Sequence, residues 1–301
     1  MKKLLFVTFL LFACLPFVKA QDEGEQQEEK KWESMTPQST FIPRNIVKEK
    51  TPIAYMPYRE ADVFWSRIIW RRIDCREKMN YPLYFPTTEL EDQKSLGQTL
   101  LDGLRSGAVQ AYSDEEMKNM MTLEEVLQRF DASDKVETRE KIDGSGDTTI
   151  VIKGAINWEE IREFDIKEQW YFDRHYSQLF VRIIGLCPVR VYKKEMSFSS
   201  EESFDDVEAE ELKTRLFWVY FPEARRVLAN TICYAGGNDF AQISYDDLFH
   251  KRRFQSYIYA ESNTLNNRTI KEYARNGVEE MMEAERIKWE ILNQESDLWE
   301  Y

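Results

Sequence analysis

The sequence predicts an α+β fold: an antiparallel sheet packed with helices, preceded by an extended N-terminal arm and closed by a C-terminal amphipathic helix. Apolar residues recur at helical spacing in blocks before Phe130 and again near the end of the chain, whereas between Val136 and Tyr220 the period falls toward two around turn residues. Aromatic residues make up 14% of the 301, which is enough to build a sizeable core.

At the amino terminus Lys2 and Lys3 precede an apolar run from Leu4 to Val18 that ends in Val18-Lys19-Ala20. A charged start, an apolar stretch too short to span a bilayer and a small residue at the break are the parts of a secretory signal peptide, residues 1–20. Leu11-Phe12-Ala13-Cys14 is a poor lipobox, because Phe12 is large for its slot and apolar residues follow the cysteine, so export without a lipid anchor is the better reading. Loss of Lys2, Lys3 and Lys19 takes the formal charge from −13 to about −16. Such an acidic chain is ill suited to neutralise phosphates, and we expect no nucleic-acid partner. Cys75, Cys187 and Cys233 remain; they allow one internal disulfide at most and do not fix which pair would form it.

Residues 21–58 hold Glu, Gln and four prolines with little periodicity, the composition of an extended or disordered arm. From Arg59, Phe64, Ile68 and Cys75 on one stripe, with Trp65, Ile69 and Ile73 beside it, predict a helix of about five turns. Asp74 and Lys78 stand at i,i+4 on it, and Asn80-Tyr81-Pro82 ends it. Leu96, Leu100, Leu101 and Leu104 predict a helix closed by Gly107, and Thr122 with Glu125 forms a capping-box start for another through Phe130. Val136 to Ile142 and Thr148 to Ile152 pair across Asp143-Gly144-Ser145-Gly146. Asn157 with Glu160 caps a short helix, and Ile166 to Phe172 pairs with Leu179 to Cys187. Residues 197–211 are an acidic loop, Arg215 to Tyr220 is a strand, and Pro222 opens a helix over Glu223 to Leu228. Gly236-Gly237-Asn238 is a turn, Ser244 caps a helix through about Tyr257, and Arg268 to Asn293 is an amphipathic helix carrying Ile270, Tyr273, Val278, Met281 and Met282 inward.

Catalytic constellations are hard to assemble. Only two histidines are present to act as a base: His175 in an expected turn, where a solvated residue is usual, and His250 beside Lys251, Arg252 and Arg253. Asp205-Asp206 and Asp246-Asp247 are adjacent acids, which point to different faces and read as solvated. No catalytic, cofactor-binding or metal site is expected. A carbohydrate-active enzyme and a small-ligand binding module remain the alternatives, since two carboxylates are easily found among 54 acids. The stronger signal is aromatic density in the carboxyl half, beside a basic run on an acidic chain. It makes Trp170, Phe172, Trp218, Tyr220, Arg252, Arg253 and Tyr257 the candidate protein interface. Arg252 and Arg253 are expected to be exposed.

Five ordered blocks resemble one family. Arg59-Glu60-Ala61-Asp62-Val63-Phe64-Trp65 through Trp70, with Asp74, Arg76-Glu77-Lys78-Met79-Asn80 and Pro82-Leu83-Tyr84-Phe85-Pro86, resembles the opening block of the gliding motility GldN family, called PorN where the bacteria do not glide. Ile166 to Asp173, Phe217 to Arg225, Ser244 to Phe249 and Ser256 to Asn263 are similar to its later blocks, in the same order. The resemblance implies a GldN-like domain over 59–275, and the apolar spacing of the closing segment gives a separate C-terminal helix at 276–301. It also implies a non-enzymatic, periplasmic subunit of the type IX secretion system that assembles in a ring under the outer membrane. The implied partners are a GldK/PorK-like lipoprotein and the periplasmic part of a GldM/PorM-like inner-membrane protein. No catalytic residues come with it.

Export as read here has a direct check. Intact-mass measurement of the protein from its native host should give a chain beginning at Gln21 without lipid; a diacylglycerol-bearing Cys14 at the terminus would overturn it.

Overall fold

In the computed structural model, the described residues are 47, 50–88, 93–132, 135–140, 147–152, 156–193, 211–233 and 242–297. The expected signal peptide, most of the arm, the acidic loop at 197–210 and the Gly236-Gly237-Asn238 turn lie outside them.

A long hairpin organises the rest. Strand β6, Ile161–Asp173, and strand β7, Gln178–Lys193, pair antiparallel across the turn expected at Asp173 to Ser177. Buried Asp173 accepts the backbone N–H of His175 at 2.8 Å and so closes that turn. Strand β1, Val63–Asp74, flanks β6 on the other side. Among the described residues the main sheet has eight strands, in the order β12-β1-β6-β7-β9-β2-β3, with β8 also on β7. Here β2 is Ala111–Tyr112, β3 Met120–Met121, β8 Glu211–Arg215, β9 Trp218–Tyr220 and β12 Tyr257–Glu261. The expected hairpin of β4, Lys135–Glu140, with β5, Asp147–Ile152, stands as its own two-stranded sheet, as does the small pair of β10, Ile232–Cys233, with β11, Ile243–Ser244.

Strand β1 corrects the helix expected from Arg59. The i,i+4 spacing of Phe64 with Ile68, and of Trp65 with Ile69 and Ile73, is also an even spacing, so it satisfies a strand's period of two. Branched and aromatic side chains settle the choice, because they pack well on a pleated surface and crowd a helix. The expected Asp74–Lys78 helical pair is replaced by Arg76, whose Nη2 donates to Asp74 at 2.8 Å.

The helices that were expected at Leu96 and Thr122 form. Helix α2, Leu96–Arg105, follows the four-residue α1, Tyr81–Tyr84; α2 starts on a Ser95–Gln98 capping box and ends at Gly107, φ +70°. Helix α3, Leu123–Arg129, starts on the Thr122–Glu125 box. Asn157 caps a 3₁₀ turn at Trp158–Glu160. Pro222 sits in the first turn of α4, Phe221–Ala229. The strand expected over Arg215 to Tyr220 is interrupted at buried Leu216 and Phe217, opposite Pro188, which has no N–H to continue a ladder.

Two further expectations are corrected. Helix α5, Tyr245–His250, begins on Ser244 as expected but stops well short of Tyr257. Arg252 takes a left-handed φ of +50°, its N–H meets the Phe249 carbonyl at 3.1 Å, and the Arg253 N–H meets that of Leu248 at 3.0 Å. This is a Schellman end, followed by the β-favouring run of β12. The single helix expected over Arg268 to Asn293 is α6, Ile270–Tyr273, and α7, Gly277–Asp297, broken where Ala274 turns extended. Ile270 is buried as expected, but Tyr273, Val278, Met281 and Met282 are exposed, and α7 buries Ile287 and Ile291 instead.

Cross-strand partners share a face, so the register assigns the two sides of the sheet. Ile73 lies opposite Phe164, Arg71 opposite Ile166 and Ile69 opposite Glu168. On this face Ile73, Phe164 and Ile166 join the main core with α2, α4 and α5, while Ile69 joins Ile258, Ile270, Ile287 and Ile291 in a smaller one. The other face carries Trp70, Arg72, Glu163 and Asp165. The loop after β2 covers part of it: a Cβ on Gly185 would sit 2.4 Å from Met117 Cε, so a larger residue there would displace that side chain.

On the second face β6 buries two carboxylates completely enough that both need cations. Asp165 takes Arg72 Nε at 2.6 Å and Nη2 at 3.0 Å, and Arg215 Nε at 2.8 Å. Glu163 takes Lys213 Nζ at 2.5 Å, with Arg72 Nη1 3.5 Å away. Cys75, Cys187 and Cys233 are all free and buried, and burial pushes the Cys233 thiol up to about 12.

Replacing Arg72 with Met should lower stability by about 3 kcal/mol, because two buried carboxylates lose a shared cation. Arg76→Ala, which removes a partner of the accessible Asp74, should cost about 1 kcal/mol or less. Urea unfolding midpoints of the two variants decide this.

Candidate protein interface

The seven expected interface residues separate into three groups. Trp218 and Phe172 are core residues, at 2% and 7% exposure. Tyr220, Arg253 and Tyr257 face solvent. Trp170 and Arg252 are half-buried and belong to one constellation around Glu168.

Glu168 on β6 has no exposed surface. Arg252 Nη1 lies 2.9 Å from its Oε1, Arg252 Nη2 donates to Oε2 at 3.2 Å, and Trp170 Nε1 donates to Oε2 at 3.0 Å. The guanidinium also rests over the rings of Trp170 and Phe254, at 5.5 and 5.3 Å. The left-handed turn after α5 is what aims Arg252 inward while Arg253 points out. Arg252 is therefore not the freely exposed cation expected from its place in a basic run, and reversing its charge would confront a buried carboxylate with a second one, at about 3–5 kcal/mol. Isolated acids within an apolar strand, here Glu163, Asp165 and Glu168, were the sequence signal for such pairs; which cation each would find was not readable.

The end of the arm, residues 50–58, forms no helix or strand and lies against this domain. Arg225 on α4 and Asp246 on α5 form a buried pair, Nε to Oδ1 at 2.7 Å, and Arg225 Nη2 also donates to the Ile53 carbonyl at 2.6 Å. Tyr55 lies over Arg225 at 4.2 Å, and Tyr58 under Arg182 at 4.5 Å. Lys50 pairs with Asp247, which also accepts Ser244 Oγ at 3.0 Å. The adjacent acids Asp246 and Asp247, expected to be solvated, thus hold the domain and the arm; Asp205-Asp206 lies outside the described residues.

A groove of about 990 Å³ follows the β12 edge beside α7, lined by Arg71, Arg72, Lys213, Arg215, Lys271 and Lys288 among others, with Tyr257 and Tyr259. Arg72, Lys213 and Arg215 are already committed to Asp165 and Glu163, and Arg71 donates to Ser256 Oγ at 2.9 Å. Glu77, Glu280 and Glu285 stand in the same lining, so its charges are mixed. His175 stacks edge-on against Tyr176, and His250 closes α5. Among the described residues no three His, Cys, Asp or Glu side chains gather as metal ligands, and no helix is long and apolar enough to cross a membrane.

The family model described as gliding motility associated protein GldN matches residues 58–300. No curated protein matches the chain.

Burial pushes the Asp247 carboxyl up, but the bonds from Lys50 and Ser244 outweigh it and hold the group below its ordinary 3.8. A depressed carboxylate contributes stability that is present above its unfolded pKa and lost as pH falls through the folded value. The melting temperature of Lys50→Met should therefore lie below wild type at neutral pH, and the gap should close below about pH 4. A gap that persists in acid would assign the contact to packing.

Proposed function

The chain belongs to the family of gliding motility associated protein GldN, a component of the gliding-motility and type IX secretion machinery, and we propose that it serves there as a non-enzymatic structural subunit of the periplasmic ring or core complex. On this reading it is held at the outer membrane by a GldK/PorK-like lipoprotein and meets the periplasmic part of a GldM/PorM-like inner-membrane protein. It needs no cofactor and binds no nucleic acid.

One observation carries the proposal: the family match runs across every described element from β1 to α7. What is shared is a whole scaffold and not a local motif. The chemistry of the buried acids supports the same reading. Glu163, Asp165, Glu168 and Asp246 are each tied to Arg or Lys, an arrangement that fixes strands and helices in place.

We assign partner contact to the solvent-facing members of the aromatic and basic set, Tyr220, Arg253 and Tyr257. Arg253 offers a charge to acidic groups on a neighbour without a buried obligation of its own. Pull-down from detergent-solubilised envelopes should recover the lipoprotein in comparable amount, and its absence would sink the subunit reading. Arg253→Glu should leave stability within about 0.5 kcal/mol of wild type and lower the recovered lipoprotein. Undiminished recovery would move the interface elsewhere.

A further inference from the structure

Helix α7 docks on the sheet edge over a site where acids outnumber cations. Glu261, at the end of β12, stands opposite Ile69 and so faces the small isoleucine cluster that Ile287 and Ile291 of α7 complete. It is 8% exposed. Two guanidiniums stand near it, and both are engaged by α7. Arg67 Nη1 on β1 lies 3.2 Å from both Glu261 and Glu290, but its hydrogen bond goes to Glu290. Arg286 gives Nε and Nη2 to Glu283 at 2.9 and 2.6 Å and Nη1 to Glu290, and lies 3.8 Å from Glu261. From α6, the Tyr273 hydroxyl donates to Glu283 at 3.1 Å. Glu168, behind Ile69 on β6, has Arg252 to itself. Among the described residues, Glu261, Glu283 and Glu290 thus share Arg67 and Arg286, and nothing donates a hydrogen bond to Glu261 Oε2. The acid left short is the most buried of the three.

We propose that α7 is a proton-linked latch: Glu261 takes up a proton from solvent as the helix docks over it, so α7 is held more firmly in mildly acid surroundings than at neutral pH. Neutral Glu261 leaves two carboxylates to two guanidiniums and becomes a donor that a neighbouring carboxylate can accept. When α7 lifts, water reaches Glu261, and Arg67 loses its competing acceptor on Glu290, so the ionised form is no longer penalised. Of α7 only Ile287 and Ile291 are buried, so the helix can open while the sheet stays closed. Burial raises the Glu261 carboxyl, and Glu290 and Glu283 of the docked helix add to it, outweighing Arg67 and Arg286. A carboxyl whose pKa is higher docked than undocked gives docking a contribution that is fully present below its ordinary 4.5 and is lost as pH rises through the docked value, the reverse of the Asp247 case. Glu283 does not cancel this, because the partner that chiefly holds its carboxyl down is Arg286 of the same helix, which moves with it. The latch belongs to the fold and stands independently of the envelope proposal.

Hydrogen exchange on the purified chain, corrected for the intrinsic rate, tests this. Between about pH 7.5 and about pH 5 the opening of α7 amides should become severalfold rarer, while amides of the β6–β7 hairpin change little. Glu261→Gln, which has the shape of the neutral form and no charge, should protect α7 at neutral pH as well as acid does in the wild type, and its protection should no longer vary over that range. Glu290→Gln, at an accessible position, removes the competing carboxylate and should flatten the pH dependence, which keeps a test in hand if Glu261→Gln fails to fold. Flat or falling α7 protection in the wild type overturns the latch, as do α7 amides that exchange only together with the sheet. So does an undiminished pH dependence in Glu290→Gln, or unchanged or lower α7 protection in Glu261→Gln at neutral pH; a lower value would make the ionised carboxylate the anchor of the helix. Loss of lipoprotein recovery in the pull-down would not bear on it.

Discussion

Strand β6 brings three carboxylates, Glu163, Asp165 and Glu168, to positions with 3% exposure or less, and the cost of burying an unpaired charge dictates much of what surrounds it. Each must meet a cation, and the cations come from different places: Arg72 from β1, Lys213 and Arg215 from β8, and Arg252 from the turn behind α5. That requirement explains why α5 is short. A helix continued through Phe254 could not also turn Arg252 back onto Glu168, so the left-handed residue at the end of α5 and the ion pair are parts of one solution.

The same chemistry attaches the elements that are not in the sheet. Arg225 and Asp246 join α4 to α5, and the leftover donor of Arg225 takes the Ile53 carbonyl, which lays the arm's end along the domain. Arg67 joins Glu261 and Glu290 and holds α7 to the edge of the sheet above a small cluster of isoleucines. Here apolar burial is modest, and the charged rim fixes how the helix lies. Once that side is committed, Val278, Met281, Met282, Trp289 and Leu292 stay exposed.

Local signals carried far where one short stretch decides the outcome. Ser244, Thr122, Asn157, Pro222 and Gly107 each act within a turn of their own position, and the helix starts and stops they imply are present. The long hairpin was legible because alternation in Ile166 to Phe172 and Leu179 to Cys187 flanks an obvious turn. Strand β1 was not, because it carries apolar residues on both faces, with Ile69 and Trp70 buried on opposite sides, and its i,i+4 pairs imitate a helix. The inner face of α7 was misread for a related reason. The helix has two apolar stripes, and Ile287 with Ile291 could be ranked above Met281 with Met282 only by knowing where the sheet edge lies. At the candidate interface, exposure of Tyr257 and burial of Trp218 depend on strand order, which no local pattern contains.

Buried ion pairs are poor evidence of stability, since apolar residues of similar size often do as well. What these pairs add is a constraint on register. In β6 the acids Glu163 and Asp165 face one side of the sheet and Glu168 faces the other, with Phe164 and Ile166 interleaved. A slip of one residue against β1 would reverse every side chain of the strand. It would thrust Phe164 and Ile166 among Arg72 and Arg215, and carry Glu168 away from the side on which Arg252 and Trp170 wait. An all-apolar β6 would lose little by the same slip, because large rings and branched chains lie on both faces of this sheet. The charges therefore discriminate between registers that hydrophobic burial alone would leave close in energy. The placement of β12, α5 and α7 depends on that discrimination, since β12 pairs with β1, Arg252 behind α5 is tied to Glu168 of β6, and Arg67 of β1 holds Glu290 of α7.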